Sequence, residues 1–326
     1  MKALRCHAFG PIQSLTVDEI EPPVPAPGQV LVDVHAASIN FPDALMVQGR
    51  YQFKPALPFT PGAELAGVVR ALGDGVKHLQ VGDRVLCSTG TGAFAQQAVV
   101  DAQRVMPLPE GMDFETGASF VLVYGTSLHA LQTIGQLQPG ETLLVLGAAG
   151  GVGIAAIEIA KAMGARVIAA ASSEDKRALA RRAGADHTID YTQPDWRREV
   201  EQLTDGQGAD VVYDAVGGPY AEPALRATAW RGRYLVVGFA AGDIPKLPLN
   251  LALLKERAIL GVFWGAAMAR EPQQLVADLR HLAGWFRDGR LKPPVTERVT
   301  LTEAAGALQR LATRQAMGKI VVLPQA

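Results

Sequence analysis

Gly147-Ala148-Ala149-Gly150-Gly151-Val152-Gly153 is a run of seven residues with no side chain larger than valine. It follows the apolar stretch TLLVL and opens a long helical pattern that reaches Lys161. A strand, a tight turn and a helix start in that order present unpaired amides and the positive end of a helix dipole, which suits a phosphate. The order of small residues is A-x-G-x-x-G with Gly147 ahead of it, and Ala148 stands where a dinucleotide fingerprint usually opens with glycine. Alanine serves there if the turn keeps a negative φ. Gly150 and Gly153 retain the positions that need a missing side chain, for backbone approach to a pyrophosphate and for close helix–strand packing. Ala149, Gly150, Gly151, Val152 and Gly153 form the candidate phosphate cradle. The alternative is a turn of small residues with no ligand.

The second strand bears on which dinucleotide would fit. An NAD site ends that strand with Asp or Glu, which accepts from the ribose 2′-hydroxyl. Here RVIAAA runs into Ser172-Ser173-Glu174-Asp175-Lys176-Arg177. The hydroxyls of Ser172 and Ser173 and the Lys176 ammonium suit a 2′-phosphate, so NADPH is the expected cofactor. Ser172 followed three residues later by Asp175 also resembles a capping box, and a capped helix start is itself an anion site. Glu174 and Asp175 are expected to point away from the cofactor.

These residues need a scaffold, and the hydrophobic pattern supplies one. Strands near 142–146, 166–171, 186–189, 210–214, 233–238 and 258–263 alternate with helices, which predicts a doubly wound parallel sheet. The strands are almost wholly apolar, as in a sheet covered on both faces. Residues 1 to about 120 differ. Short alternating runs such as QVLVDVHAASI and ELAGVVRAL, broken by Pro- and Gly-rich turns, predict a β-rich, barrel-like domain. After Trp264 come a long amphipathic helix, a strand, a helix and a last strand. They are expected to return to the first domain. The predicted division is 1–122 with 265–326, and 123–264.

Composition narrows the function classes. Of 326 residues, 48% are hydrophobic and 19% charged, and 31 Lys and Arg nearly cancel 32 Asp and Glu. That balance is globular and offers no basic surface for nucleic acid. The opening MKALRCHAFGPIQSLTVDEI has no apolar signal core, and no apolar stretch reaches spanning length, so a cytoplasmic protein with no membrane partner is expected. Cys6 and Cys87 read as reduced core thiols, and the six histidines show no metal-ligand spacing.

ASINFPD, TPGAELAGVV, AAGGVG, DAVGG and GKIVVL agree jointly, in order and spacing, with one family. Over essentially its whole length the chain resembles the medium-chain dehydrogenase/reductase superfamily: α/β, with a GroES-like β-rich catalytic domain and a Rossmann domain inserted near its C-terminal end. Zinc-dependent members carry Cys in the first loop and a His-Glu pair in the second. Here Asn40 and Phe41 stand near the Cys position and Ala63 precedes Glu64, so no zinc site is expected. The chain is most similar to the zinc-free NADPH:quinone oxidoreductase branch.

That resemblance implies hydride addition to an electron-poor acceptor, a quinone or an α,β-unsaturated carbonyl. It implies that Asn40 and Tyr51 line the acceptor site, with Tyr51 donating to the developing oxyanion. Read locally, Tyr51 is equally a loop aromatic, Asn40 a turn amide, and Asp43 the brace of its own loop. It further implies cofactor contacts from Asn40, Thr126, Tyr191, Val216, Gly238, Phe239, Phe263 and Lys319. Core or surface roles stand as alternatives for Tyr191, Phe239, Phe263 and Lys319. Two other functions remain: an enoyl-thioester or haloacrylate-type reductase, and an NADPH-binding sensor or structural protein with negligible turnover. The last Rossmann strand, around 258–263, is apolar and at the sheet edge, so a homodimer through it is expected.

Overall fold

In Gln29–Ser38 the valines at 30, 32 and 34 alternate with polar Asp33 and His35, and the ten-residue strand this dictates is the axis of the first of two units. The computed structural model describes all 326 residues, divided into Met1–Leu122 with Pro293–Ala326, and Val123–Lys292. Unit 1 begins with β1 (Lys2–Arg5), β2 (Thr16–Glu19), β3 (Gln29–Ser38), α1 (Phe41–Val47) and β4 (Glu64–Leu72). It continues through β5 (Arg84–Ser88), β6 (Gln97–Asp101), β7 (Val105–Pro107) and α2 (Phe114–Ala118).

Unit 2 begins within α3 (Val121–Leu128), which runs on as a π-helical segment to Ile134. Its elements are β8 (Thr142–Leu146), α4 (Gly151–Ala162), β9 (Arg166–Ala170), α5 (Glu174–Arg182) and β10 (His187–Ile189). Next are α6 (Trp196–Leu203), β11 (Ala209–Asp214), α7 (Ala221–Ala227), β12 (Thr228–Val236), α8 (Asn250–Leu253) and β13 (Ala258–Gly261). Helices α9 (Trp264–Arg270) and α10 (Pro272–Arg287) complete it. The chain then re-enters unit 1 with β14 (Val295–Val299), α11 (Ala304–Ala312) and β15 (Lys319–Val322).

Unit 2 carries a six-stranded sheet in the order β10-β9-β8-β11-β12-β13, every pair parallel. The order reverses between β8 and β11, the switch point at which open α/β sheets bind ligands. β8 is buried throughout, as a central strand covered on both faces must be. Unit 1 carries the sheet β14-β15-β3-β4-β5-β7, with β6 also paired to β3 and only β14–β15 parallel. Cys6 and Cys87 are buried free thiols. No helix is long and apolar enough to cross a membrane.

Three expectations need correction. The segment 265–292 stays with unit 2. Trp264 packs so closely on Gly125 that a β-carbon there would lie 2.3 Å from its ring. Beyond α10, the Lys292 amide donates to Glu158 Oε2 at 3.0 Å. Amphipathicity shows that Leu279 and Leu282 must be covered, and is silent about what covers them. Second, the stretch read as a loop after Ile39 turns at once into α1, with Asn40 as N-cap. Third, the cap of α5 is Ser173, whose Oγ accepts from the Lys176 amide, one residue later than the Ser172 box.

The approach of α4 to β8 is fixed at Gly153, where an added β-carbon would lie 2.3 Å from the Gly147 carbonyl oxygen and 2.8 Å from Ala148 Cα. Both obstacles are backbone, which cannot rotate aside. Gly153→Ala is expected to cost about 1–3 kcal/mol or more, read as a lower denaturation midpoint. An unchanged midpoint would show that the turn can shift at no cost.

Candidate functional site

In unit 2 the candidate residues converge on the carboxyl ends of the central strands. Gly147 has φ +71° and its backbone abuts Val216, to which a β-carbon would come within 2.9 Å. The switch point is thereby bridged: the loop after β8 touches the loop after β11. Asp214, buried at the end of β11, accepts from the Val216 amide at 2.7 Å and the Gly217 amide at 2.9 Å through Oδ1. Its Oδ2 accepts from the Tyr234 hydroxyl. Burial pushes the Asp214 carboxyl up, while the hydroxyl and the two amides pull it down. Gly217 in turn lies against Phe239, where a β-carbon would meet the ring at 2.9 Å, and Gly238 faces the Ala215 carbonyl. One step before Gly217, Val216 is held in place by the carboxylate that sequence reading overlooked.

The N-cap of α4 is Gly150, and no side chain caps the helix. Its first turn, Gly151, Val152 and Gly153, therefore keeps its amides for a ligand. Ser127 donates to the Val152 carbonyl at 2.9 Å, which brings α3, and with it half-buried Thr126, beside the cradle. A dinucleotide pyrophosphate fits this arrangement. Two acids near the second strand are already matched, and Asp175 is exposed. Glu174 pairs with Arg177 and Arg181, and Asp190 pairs with Arg177 at 2.8 Å. Tyr191 is buried, its ring 4.5 Å from that of Tyr220. Phe263 stands apart, 55% exposed at the start of α9.

Unit 1 contains a different site. Asn40 caps α1, where its amide N–H donates to Asp43 Oδ2 at 2.8 Å, a bracing role for Asp43 as its spacing suggested. Glu64, the first residue of β4, is completely buried. Its Oε1 accepts from Ser38 Oγ at 2.5 Å, Asn40 Nδ2 at 2.9 Å and Lys319 Nζ at 3.2 Å. Its Oε2 accepts from the Leu122 amide at 2.9 Å. Lys319, only 4% exposed, also donates to Asn40 Oδ1 at 2.7 Å and the Ile39 carbonyl at 3.4 Å. All three ammonium hydrogens are directed to acceptors inside unit 1, and a buried ammonium cannot leave them. Burial pulls the Lys319 ammonium down, while the Glu64 and Asp43 carboxyls push it up. Asn40, likewise, is held by both ends of its amide.

Asp43 is fully buried, and its Oδ1 makes no hydrogen bond. Burial pushes its carboxyl up to about 7, against the Asn40 amide, the Lys319 charge and the Gly62 amide; Glu64 adds to the rise. Tyr51 follows α1, half-buried against the core of unit 1. Its phenol is raised by burial and then by the Asp43 charge.

Residues 26–110 match the family described as alcohol dehydrogenase GroES-like domain, and residues 151–280 match that described as zinc-binding dehydrogenase. A quinone oxidoreductase of Pseudomonas aeruginosa is 37% identical over 99% of this chain and 99% of its own length. The chain belongs to the quinone oxidoreductase branch of the medium-chain dehydrogenase/reductase superfamily. Within that branch, quinone oxidoreductase-like protein 2 homolog of Nematostella vectensis is 39% identical over 90% of this chain and 81% of the relative. The crystal structure of Escherichia coli quinone oxidoreductase complexed with NADPH has a TM-score of 0.91 at 29% identity, covering 99% of this chain and 100% of that one.

The word zinc in one matching family makes the donor set around Glu64 a test. Zinc needs thiolate, imidazole or carboxylate ligands in tetrahedral array. Here the carboxylate and the Asn40 oxygen are engaged by an ammonium, and Ala63 supplies no donor. The residues present do not fit zinc. Lys319→Met is expected to cost about 3–5 kcal/mol, because it leaves the Glu64 charge buried and unpaired. Chemical denaturation checks this, and Lys319→Met/Glu64→Gln should recover part of the loss. No recovery would show that Lys319 matters by packing alone.

Proposed function

We propose that the protein is an NADPH-dependent, zinc-independent reductase of quinones and other activated α,β-unsaturated carbonyls. The observation that carries this reading is the Lys319 ammonium held by Glu64 and Asn40. With the chain's own cation in that position, the acceptor is activated by hydrogen bonding alone, which demands a carbonyl already electron-poor. When bound, NADPH supplies a hydride.

In unit 2, the first-turn amides of α4 would hold the pyrophosphate, with Ala149 leading into them. Ser172, Ser173 and Lys176 would take the 2′-phosphate, and Tyr191 would lie by the adenosine phosphate. The strand-end group Val216, Gly238 and Phe239 would flank the ribose and nicotinamide, together with Thr126 and the Phe263 backbone. In unit 1, Tyr51 donates its phenolic proton to the oxygen that gains charge as hydride adds to carbon. One hydride and one proton complete the reduction. Asn40 presents a fixed polar edge, its rotamer locked by Lys319, Glu64 and Ser38.

We also propose a homodimer. β13 is an edge strand, and Trp230, Leu249, Leu253 and Leu254 of the same unit are exposed. A second copy pairing along β13 would cover apolar surface of a kind monomers rarely leave bare. Light scattering at micromolar concentration is expected to read twice the chain mass; a monomer would overturn the dimer.

The activity is tested by mixing purified protein with NADPH and a panel of quinones, enones and enoyl thioesters while nicotinamide absorbance is followed. Loss of NADPH is expected with the first two classes, and Tyr51→Phe should lower kcat by about 10²–10⁴-fold, the usual range for a proton donor. Turnover with thioesters only would select the alkene-reductase reading, and tight binding without turnover the sensor. Lys176→Glu should weaken NADPH far more than NADH. Equal losses would remove Lys176 from the 2′-phosphate.

A further inference from the structure

β9 and β10 run parallel with Ala170 beside Ile189, so the next residue of each, Ala171 and Asp190, stand side by side at the carboxyl edge of the sheet. The Ala171 amide donates to the Ile189 carbonyl at 3.1 Å and holds the two ends in that register. The end of the second strand is where a dinucleotide fold meets the ribose 2′ position. β9 offers no acid there, and its neighbour supplies one. Left uncompensated, the Asp190 carboxylate would act as the acid of an NAD site displaced by one strand, and would repel a 2′-phosphate.

Arg177, in the first turns of α5, reaches back over these strand ends. Its Nη1 lies 2.8 Å from Asp190 Oδ2 and donates to the Ala171 carbonyl at 3.4 Å, so one nitrogen touches both strands. Its Nε donates to Glu174 at 3.1 Å. On its other oxygen Asp190 accepts from the Thr192 amide at 3.0 Å and from the Thr192 hydroxyl at 2.6 Å, which fixes the carboxylate toward Arg177. The Arg177 and Asp190 side chains are 17% and 22% exposed, so salt screens this pair less than a solvated one.

We infer that Arg177 and Asp190 are a specificity-determining pair, in which Arg177 cancels the acid that would bar a phosphorylated ribose and so sets the preference for NADPH over NADH. This deepens, and rests on, the reading of the same strand end as the 2′-phosphate site, where Ser172, Ser173 and Lys176 make the direct contacts. Other charges at this edge do not share the role. Glu174 is exposed and is divided between Arg177 and Arg181. Arg181 lies a turn further along α5 and donates to Thr188 Oγ1 at 2.9 Å.

Dissociation constants for NADPH and NADH, read by nicotinamide fluorescence on the full chain with no acceptor present, test the pair without turnover. Arg177→Met leaves Asp190 uncompensated and should weaken NADPH about tenfold more than NADH, the scale of one unit charge acting on a phosphate dianion across a partly screened edge. Added salt should shrink that difference. Asp190→Asn keeps an acceptor for the Thr192 amide and unmasks the Arg177 charge, so it should move the preference the other way, toward NADPH. Arg177→Met/Asp190→Asn removes both charges and should return the ratio to near that of the parent. Equal losses of the two cofactors in Arg177→Met, or no return in the double variant, would show that Arg177 only holds α5 in place and would overturn the inference. If Arg177→Met does not fold, Asp190→Asn decides it, and an unchanged ratio there overturns the pair. A parent that binds NADPH no tighter than NADH would count against the NADPH reading, and the direction in which the variants move the ratio would still decide the pair.

Discussion

A carboxylate with no access to water has to be compensated by groups the chain itself delivers, and Glu64 sets that requirement for unit 1. Its partners come from β3 (Ser38), from the cap of α1 (Asn40), from the start of α3 (Leu122) and from β15 (Lys319). The last lies 255 residues away in sequence, so the charge is balanced only after the chain has formed unit 2 and returned. Neutralisation of one buried acid therefore ties together both sequence halves of unit 1. It also fixes the Asn40 rotamer. The same cation engages both the Glu64 carboxylate and the Asn40 oxygen.

Unit 2 uses a comparable device at lower stakes. Asp214 ends a central strand and captures the next two free amides, with Tyr234 on its other oxygen. The loop after β11 is thereby pressed against Gly147 of the cradle. Parallel strands end in carbonyls and loops that have no ladder partner, and a short acid placed there satisfies the amides that the turn exposes. The consequence is a rigid rim at the switch point, where loose loops would otherwise have to order themselves around a ligand.

Much of this was legible beforehand because it rests on local pattern. The six parallel strands announced themselves as short apolar runs, since a sheet covered on both faces needs no polar alternation. Gly153 was readable because its packing role depends on the absence of a side chain. The start of α1 is readable in principle: Asn40 with Asp43 three residues later is a cap signature, and proline is at home in a first helical turn. The end of unit 2 was not readable. An apolar stripe on a helix states that it must be covered and leaves the covering element unnamed.

The amino-acid sequence alone determined the fold class, the small-residue turn that opens α4, the lack of an acid at the end of the second strand and the alanine that stands before Glu64. Each depends on residue type at short spacing. The tertiary structure alone decided which groups Lys319 pairs with, which donors compensate the buried Glu64, and which segments close unit 2. Those outcomes turn on burial and on hydrogen bonds between residues far apart in sequence, and electrostatic balance in a dry interior is a property of the whole cluster, invisible at any one of its positions.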